Sequence, residues 1–413
     1  MKPRSRFHYG WVIAFTGTVI IMSTLGIGRY SYSMILPDMK DGLGLTYTQT
    51  GLIATANFVG YSLFTLISGI LAARYGIRNL ISLSLLLISL TIFLTGLSWS
   101  FEAALIFRFL TGIGSGGANT PTMVLNTMWF GPHLRGLATG IMVTGNGIAL
   151  ILEGFLIPEI LRMYGGEGWR FSWIYLGVIV LGVSALSYLL IRGKPEEKGL
   201  NLLEKSSRRR DPKESLRVEV YRNPFKSLTF YHLGAVFLIF GFTQPVYATF
   251  FPVYLSKEAG LSIELAGWLW SVVGTTSIVS GFLWGAVSDR IGRGKSLGLV
   301  YVTLAASFAL FVGPRDVAGF FLSSVLFGVG IWAPPTIVSA AVGDFFGPRY
   351  TAQGLAFMNS VFFGLGQIAG PWVAGYIADA TGSFHAIYVI CVLILVMGSI
   401  FALFIRSVDI LGE

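Results

Sequence analysis

Gly69-Ile-Leu-Ala-Ala-Arg74-Tyr-Gly76 and Gly285-Ala-Val-Ser-Asp289-Arg290-Ile-Gly292 share the pattern Gly-x-x-x-x-Arg-x-Gly at an offset of 216 residues. The same offset relates Gly112-x-Gly114 to Gly328-x-Gly330 and Phe130-Gly131-Pro132 to Phe346-Gly347-Pro348. Leu36-Pro37 matches Phe251-Pro252 at 215, and Gly136-Leu137-Ala138 matches Gly354-Leu355-Ala356 at 218. Anchors in one order, with so little drift, mark an internal duplication. The 413 residues therefore divide into two halves, 1–192 and 230–413. Between them runs the one long hydrophilic stretch, 193–229, which contains Ser206-Ser207-Arg208-Arg209-Arg210-Asp211-Pro212 and reads as a linker.

Each half is too apolar for a water-soluble domain. Hydrophobic residues make up 54% of the chain and charged residues 12%, about half the usual share. Mean hydropathy is +0.71. Apolar runs bounded by turn and charge clusters predict twelve helices, near 10–36, 46–73, 79–99, 101–129, 135–160, 169–192, 230–255, 262–288, 295–313, 316–344, 351–379 and 384–406. The fold expected is an all-α polytopic membrane protein with two pseudo-symmetric six-helix bundles. The lone cysteine, Cys391, excludes a disulfide framework or a cysteine-based metal site.

The net charge of +9 invites a nucleic-acid reading, but its placement argues otherwise. With twelve spans and a cytoplasmic N-terminus, 22 Lys and Arg fall on the inner side and 5 in outer loops, a positive-inside distribution. The charge sets topology, so no nucleic-acid partner is expected. Both termini are placed in the cytoplasm and the protein in the cell membrane.

Here the chain resembles the major facilitator superfamily over nearly its whole length. Gly285 to Lys295 is similar to that superfamily's signature loop between helices 8 and 9, and Gly69 to Arg78 is its first-half copy. The resemblance implies that the acid of this loop, Asp289, helps latch the halves together on the cytoplasmic side; Ala73 replaces it in the first half. Tyr9-Gly10-Trp11, Arg135-Gly136-Leu137-Ala138-Thr139-Gly140 and the run from Gly370-Pro371 to Gly382-Ser383 resemble the monocarboxylate transporter family and its bacterial relatives. Members with a carboxylate site carry an arginine in helix 8, where this chain has Val279-Ser280-Gly281-Phe282. The fold implied is that of alternating-access transporters, with helices 1, 4, 7 and 10 around a central cavity.

Ionised groups at membrane depth are expensive and are functional candidates by default. Arg29 lies about 27 Å into helix 1, and its repeat mate is Gln244 in helix 7, so the two are expected to face each other across the pseudo-twofold axis. Arg29 reads as an anion-binding or coupling residue, or as an arginine pinned to carbonyls or a carboxylate. Arg108 opens Arg108-Phe-Leu-Thr-Gly112-Ile-Gly114 in helix 4, which resembles a widespread superfamily motif; the resemblance implies a brace between helices 1 and 4, and the alternative is a direct functional group. Glu153 in helix 5 is expected at similar depth, neutralising one arginine in the empty state and taking up a proton when substrate replaces it, or else forming a static ion pair or reaching the outer water. Asn119, which follows Gly116-Gly117 and precedes Pro121, Tyr247 one turn from Gln244, and Trp332 in the broken segment Gly330-Ile-Trp332-Ala-Pro334-Pro335 complete the expected substrate contacts.

No nucleophile elbow, zinc-binding histidine pair, phosphate loop or dinucleotide fingerprint occurs. The sequence thus points away from an enzyme and calls for no cofactor or metal. The expected function is secondary active transport, proton-coupled uptake of a small organic anion such as a monocarboxylate, by a monomer in contact with membrane lipid. The alternatives are a proton-driven exporter of drugs or metabolites, and a membrane receptor that has lost transport.

Overall fold

The computed structural model describes residues 8–203 and 223–405. Ten helical stretches are long and apolar enough to cross a membrane. One of them, Pro132–Leu190, is two helices joined by a tight turn at Gly165–Glu167. A further helix, Phe101–Trp129, spans 29 residues and is made less apolar by Arg108, Asn119 and Asn126. Among the described residues this makes twelve spans, as the sequence predicts. The first half contains α1 (Gly10–Leu43), α2 (Tyr47–Tyr75), α3 (Ile77–Gly96), α4 (Phe101–Trp129), α5 (Pro132–Tyr164) and α6 (Gly168–Leu190). The second contains α7 (Leu228–Glu258), α8 (Ile263–Ile291), α9 (Arg293–Val312), α10 (Val317–Gly347), α11 (Tyr350–Thr381) and α12 (His385–Leu403).

Most boundaries fall within a few residues of the sequence reading. The exception is α1, which runs through Pro37 to Leu43 instead of stopping at 36. Its middle, Met22–Tyr30, is wound in wide π-type turns, a distortion common at functional sites. The start of the linker is pinned to the first bundle: Leu203 N–H donates to the carbonyl of Trp129 and Gly131 N–H to that of Leu203, both at 3.0 Å. The arginine-rich run 206–212, Lys2, Arg4, Arg6 and Arg406 lie outside the described residues.

The bundles meet along α2 with α11, α5 with α8, and the later part of α1 with α7. Contact is tightest on the face opposite the signature loops. There Asp379 of α11 accepts hydrogen bonds from the first turn of α2: Tyr47 N–H at 2.9 Å, Thr48 N–H at 2.7 Å and Thr48 Oγ1 at 2.6 Å. Free N–H groups at a helix start favour such an anion. Lys257 of α7 reaches Asp41 of α1 at 2.7 Å. Deeper in the α5–α8 seam, a Cβ on Gly267 would lie 2.2 Å from the Gly154 carbonyl oxygen, so the two backbones touch.

The signature-loop face is open. A cavity of about 480 Å³ lies between α5, α8 and α10, lined by Gly140, Gly147, Phe282, Gly285, Asp289 and Trp332 among others. The paired loops close on equivalent glycines: Gly76 ends α2 at φ 84° and Gly292 ends α8 at φ 93°, a region costly for other residues. Gly69 has open space beside it, and the exposed Arg74 lies 5.4 Å over the Tyr75 ring. Arg290 is also exposed. Among the described residues, the latch expected of Asp289 is not engaged between the halves. Asp289 instead pairs with Arg293 at 2.6 Å, and Arg293 also holds Asp344 of α10 at 2.7 Å. These bonds tie α8, α9 and α10 within the second bundle, which fits a face whose halves stand apart.

Candidate functional site

The π-type turns of α1 set the geometry of the bundle centre. Arg108 donates from Nη1 to the carbonyl of Gly28 at 2.9 Å and from Nη2 to that of Arg29 at 3.4 Å. It is 1% exposed, with its guanidinium 5.1 Å from the Trp173 ring and 5.3 Å from the Tyr32 ring. Asn57 of α2 donates to the carbonyl of Arg108 at 3.1 Å, and Ser115 of α4 to that of Thr24 at 2.9 Å. Arg108 thus ties α4 to α1 through these bonds.

Arg29 is placed differently. Its guanidinium carbon lies 4.5 Å from the Tyr61 ring centre and 4.8 Å from that of Phe58, a double cation–π setting. It is 8% exposed, and among the described residues its Nε and Nη2 have no hydrogen-bond partner. Buried guanidinium nitrogens are normally satisfied, so two free ones mark a place for an acceptor. Arg29 borders a small cavity with Tyr30, Asn57, Phe58, Ala248, Thr249 and Arg108, whose Nε also lacks a partner among the described residues.

Other predicted residues gather around it. Asn119 donates to Tyr61 Oη at 2.9 Å, fixing the ring that faces Arg29. Gln244 donates from Nε2 to Tyr30 Oη at 3.3 Å, so Arg29 and Gln244 meet through Tyr30 and not directly. Tyr30 Oη also lies within interaction range of Arg29. The Trp332 ring stands edge-on to Tyr30, with centroids 6.4 Å apart. Trp332 sits where α10 breaks: the following helical segment begins at Ala333 with prolines in its first turn, and the Trp332 N–H goes to Ser280 Oγ at 3.1 Å. Since Trp332 also lines the large cavity, it stands between the Arg29 cluster and the open face.

Two expected residues lie elsewhere. Tyr247 is fully buried in the aromatic core of the second bundle, stacked on Phe327 at 3.8 Å and bonded to Ser323 Oγ at 2.7 Å. It does not join the Arg29 group. Glu153 forms no ion pair with Arg29 or Arg108; its Oε1 accepts from Ser31 Oγ at 3.0 Å and its Oε2 has no partner. Tyr30 and Phe58 also stand beside Arg29, and the sequence reading passed them over. The only signal for Tyr30 was its place beside Arg29.

The family model described as Major Facilitator Superfamily matches residues 18–361 and again 234–410. The chain is 26% identical over 402 residues to the probable sulfoacetate transporter of Cupriavidus necator, covering 92% of this chain and 90% of the relative. It is 25% identical to the hexuronate transporter of Bacillus subtilis, with coverages of 88% and 87%. Against the 4-hydroxybenzoate transporter of Acinetobacter baylyi the identity is 24%, with coverages of 98% and 92%. Among solved structures, an inward-facing, occupied bacterial homolog of the human lysosomal transporter Spinster superposes with a TM-score of 0.76 at 18% identity, covering 97% of each chain. Twelve helices in two repeated bundles, a polar cluster at their centre and a family match across nearly the whole chain agree: this chain is a multi-pass membrane transporter belonging to the major facilitator superfamily.

Proposed function

We propose that the protein takes up a small organic monoanion across the cell membrane by alternating access, with the Arg29 guanidinium as the anchor for the anionic group. The observation that carries this reading is the pair of unpartnered, buried nitrogens on Arg29. Arg108 spends both terminal nitrogens on carbonyls and keeps only its Nε unpartnered beside the same small cavity, so Arg29 offers the fuller donor set to an anion, which suits one negative charge better than two. Phe58, Tyr61, Tyr30 and Trp332 give the rest of the ligand an apolar or aromatic body to rest on, while Gln244 and Asn119 supply hydrogen-bonding edges. Relatives named for sulfoacetate, hexuronate and 4-hydroxybenzoate support an organic-acid substrate.

The positive-inside distribution supports a cytoplasmic signature-loop face with both termini on that side, which makes this an inward-open conformation. Residues 1–192 and 230–413 rock as two bodies about the central cluster, joined by the 193–229 linker, in a monomer. Uptake is coupled to protons. Proteoliposomes given an inward proton gradient and a panel of labelled mono- and dicarboxylates and sulfonates test the reading: it predicts monoanion accumulation that Arg29→Gln abolishes. Accumulation unaffected by that substitution removes the anchor, and gradient-driven export instead of uptake reverses the direction.

A further inference from the structure

We propose that Glu153 is the site of the coupling proton, and that the α5–α8 seam, with Trp270 as its cover, decides when that site meets water. The inference deepens the proton-coupled reading above and rests on it.

Glu153 is 1% exposed and its Oε2 is unpartnered. Besides Ser31, the group near its carboxyl is the indole N–H of Trp270, which lies on α8 in the other half and makes no hydrogen bond within range among the described residues. A carboxyl kept for structure alone has its lone pairs filled, because a half-satisfied buried acid is costly. The charged side chains of the neighbouring helices leave it uncompensated. Arg29 lies between Phe58 and Tyr61, Arg108 is held by carbonyls, Lys40 lies over Tyr47 and Arg170 is bound to Gly96, Ser98 and Glu167. The acids on α1 and α8 closest in sequence to Ser31 and Trp270, Asp38 and Glu264, carry charge of the same sign and cannot compensate it.

The position of this carboxyl ties it to the transport cycle. Gly154, the next residue, touches Gly267 backbone to backbone, and Ser271 Oγ donates to the Ile151 carbonyl at 3.1 Å. These contacts join opposite halves at the depth of Glu153. Opening the opposite face must part them, because α5 and α8 belong to different bundles. Parting withdraws Trp270 and brings water to the carboxyl, which exchanges one proton with it; closing covers it again. Protonation and bundle position are therefore linked, and each biases the other by the same free energy.

The test needs no substrate. In a Cys391→Ser background, Ala54→Cys is placed beside the small cavity under the closed face, and its reaction with a membrane-impermeant maleimide is followed in proteoliposomes across pH. Divided by the rate of an always-exposed control, Gly166→Cys in the same background, which removes the thiolate's own pH dependence, the labelling rate is expected to change several-fold with pH in the parent, to be flat in Glu153→Gln, and to regain its pH dependence, displaced, in Glu153→Asp. The infrared carboxyl band of the purified protein provides a second readout, expected to titrate in the parent and to be missing in Glu153→Gln. An unchanged labelling profile in Glu153→Gln, or a parent profile that is flat with pH, overturns the proposal. Because no anion is present, that failure is separate from a failure of the Arg29 site, which flux and binding detect.

Discussion

Tyr30 of the first bundle and Gln244 of the second are hydrogen-bonded to each other, Gln244 Nε2 donating to Tyr30 Oη at 3.3 Å, at the point where Arg29 and Trp332 also converge. The bond joins the two moving bodies at the centre of the pseudo-symmetric fold, where a ligand contacting both halves is placed by the repeat architecture. A buried amide that loses such a partner forfeits about 0.5–1.5 kcal/mol. Tyr30→Phe and Gln244→Ala are each expected to weaken substrate affinity roughly three- to tenfold, on that energy scale. The double variant should weaken it by less than the product of the two. Isothermal titration of the three variants measures this coupling, and full additivity would place the two residues in separate roles.

The contrast between the two buried arginines gives a second prediction. Arg108→Ala leaves the Gly28 and Arg29 carbonyls without their donor, at about 1–3 kcal/mol for each unsatisfied group. Arg108→Lys does not repair this, since one ammonium lacks the planar fork that reaches both carbonyls. Both variants are expected to melt well below the parent protein and to accumulate poorly, whereas Arg29→Gln melts close to it. Melting curves in detergent check the ordering; a stable Arg108→Ala protein would show that the brace is dispensable.

Asp379 is the third case. Its three hydrogen bonds run from the second bundle to the N-terminus of α2 in the first, so they exist only while that face is closed. Asp379→Ala should favour opening of that face by about 1–2 kcal/mol, a factor of roughly 5–30 in the ratio of the two conformations. The reporter is again Ala54→Cys, here at fixed pH, where its maleimide reaction should speed up. No acceleration would mean that the Lys257–Asp41 pair and the glycine contacts hold the face closed by themselves.

How much of this was legible in the sequence follows from what each signal measures. Apolar runs fixed twelve spans because length and hydropathy are properties of a segment by itself. The end of α1 was misplaced because Leu36-Pro37 reads as a break, yet a membrane helix can carry a proline when neighbouring helices satisfy its freed groups. Arg29, Asn119 and Gln244 stood out because polar side chains are scarce in such spans. Tyr30 and Phe58 did not, since aromatic residues make up 14% of the chain and occur throughout it. Depth along a helix says nothing about direction around it. Glu153 and the arginines share an estimated depth but face different neighbours, and Tyr247, one turn from Gln244, points into the core of its own bundle. The π-type turns of α1, which bring the Gly28 and Arg29 carbonyls to Arg108, have no signature in composition or period.

The central claim is that Arg29 supplies the positive group that anchors an anionic ligand. It is tested most directly by the thermal stability of the purified protein against matched mono- and dianionic carboxylates and sulfonates, for the parent and for Arg29→Gln. A ligand at about 100 times its Kd stabilises the folded state by about 2.7 kcal/mol, which is readily seen as a rise in melting temperature. The account predicts that at least one monoanion raises the melting temperature of the parent, that its dianionic counterpart does so less, and that neither stabilises Arg29→Gln. Equal stabilisation of the parent and Arg29→Gln by the same anion would contradict it.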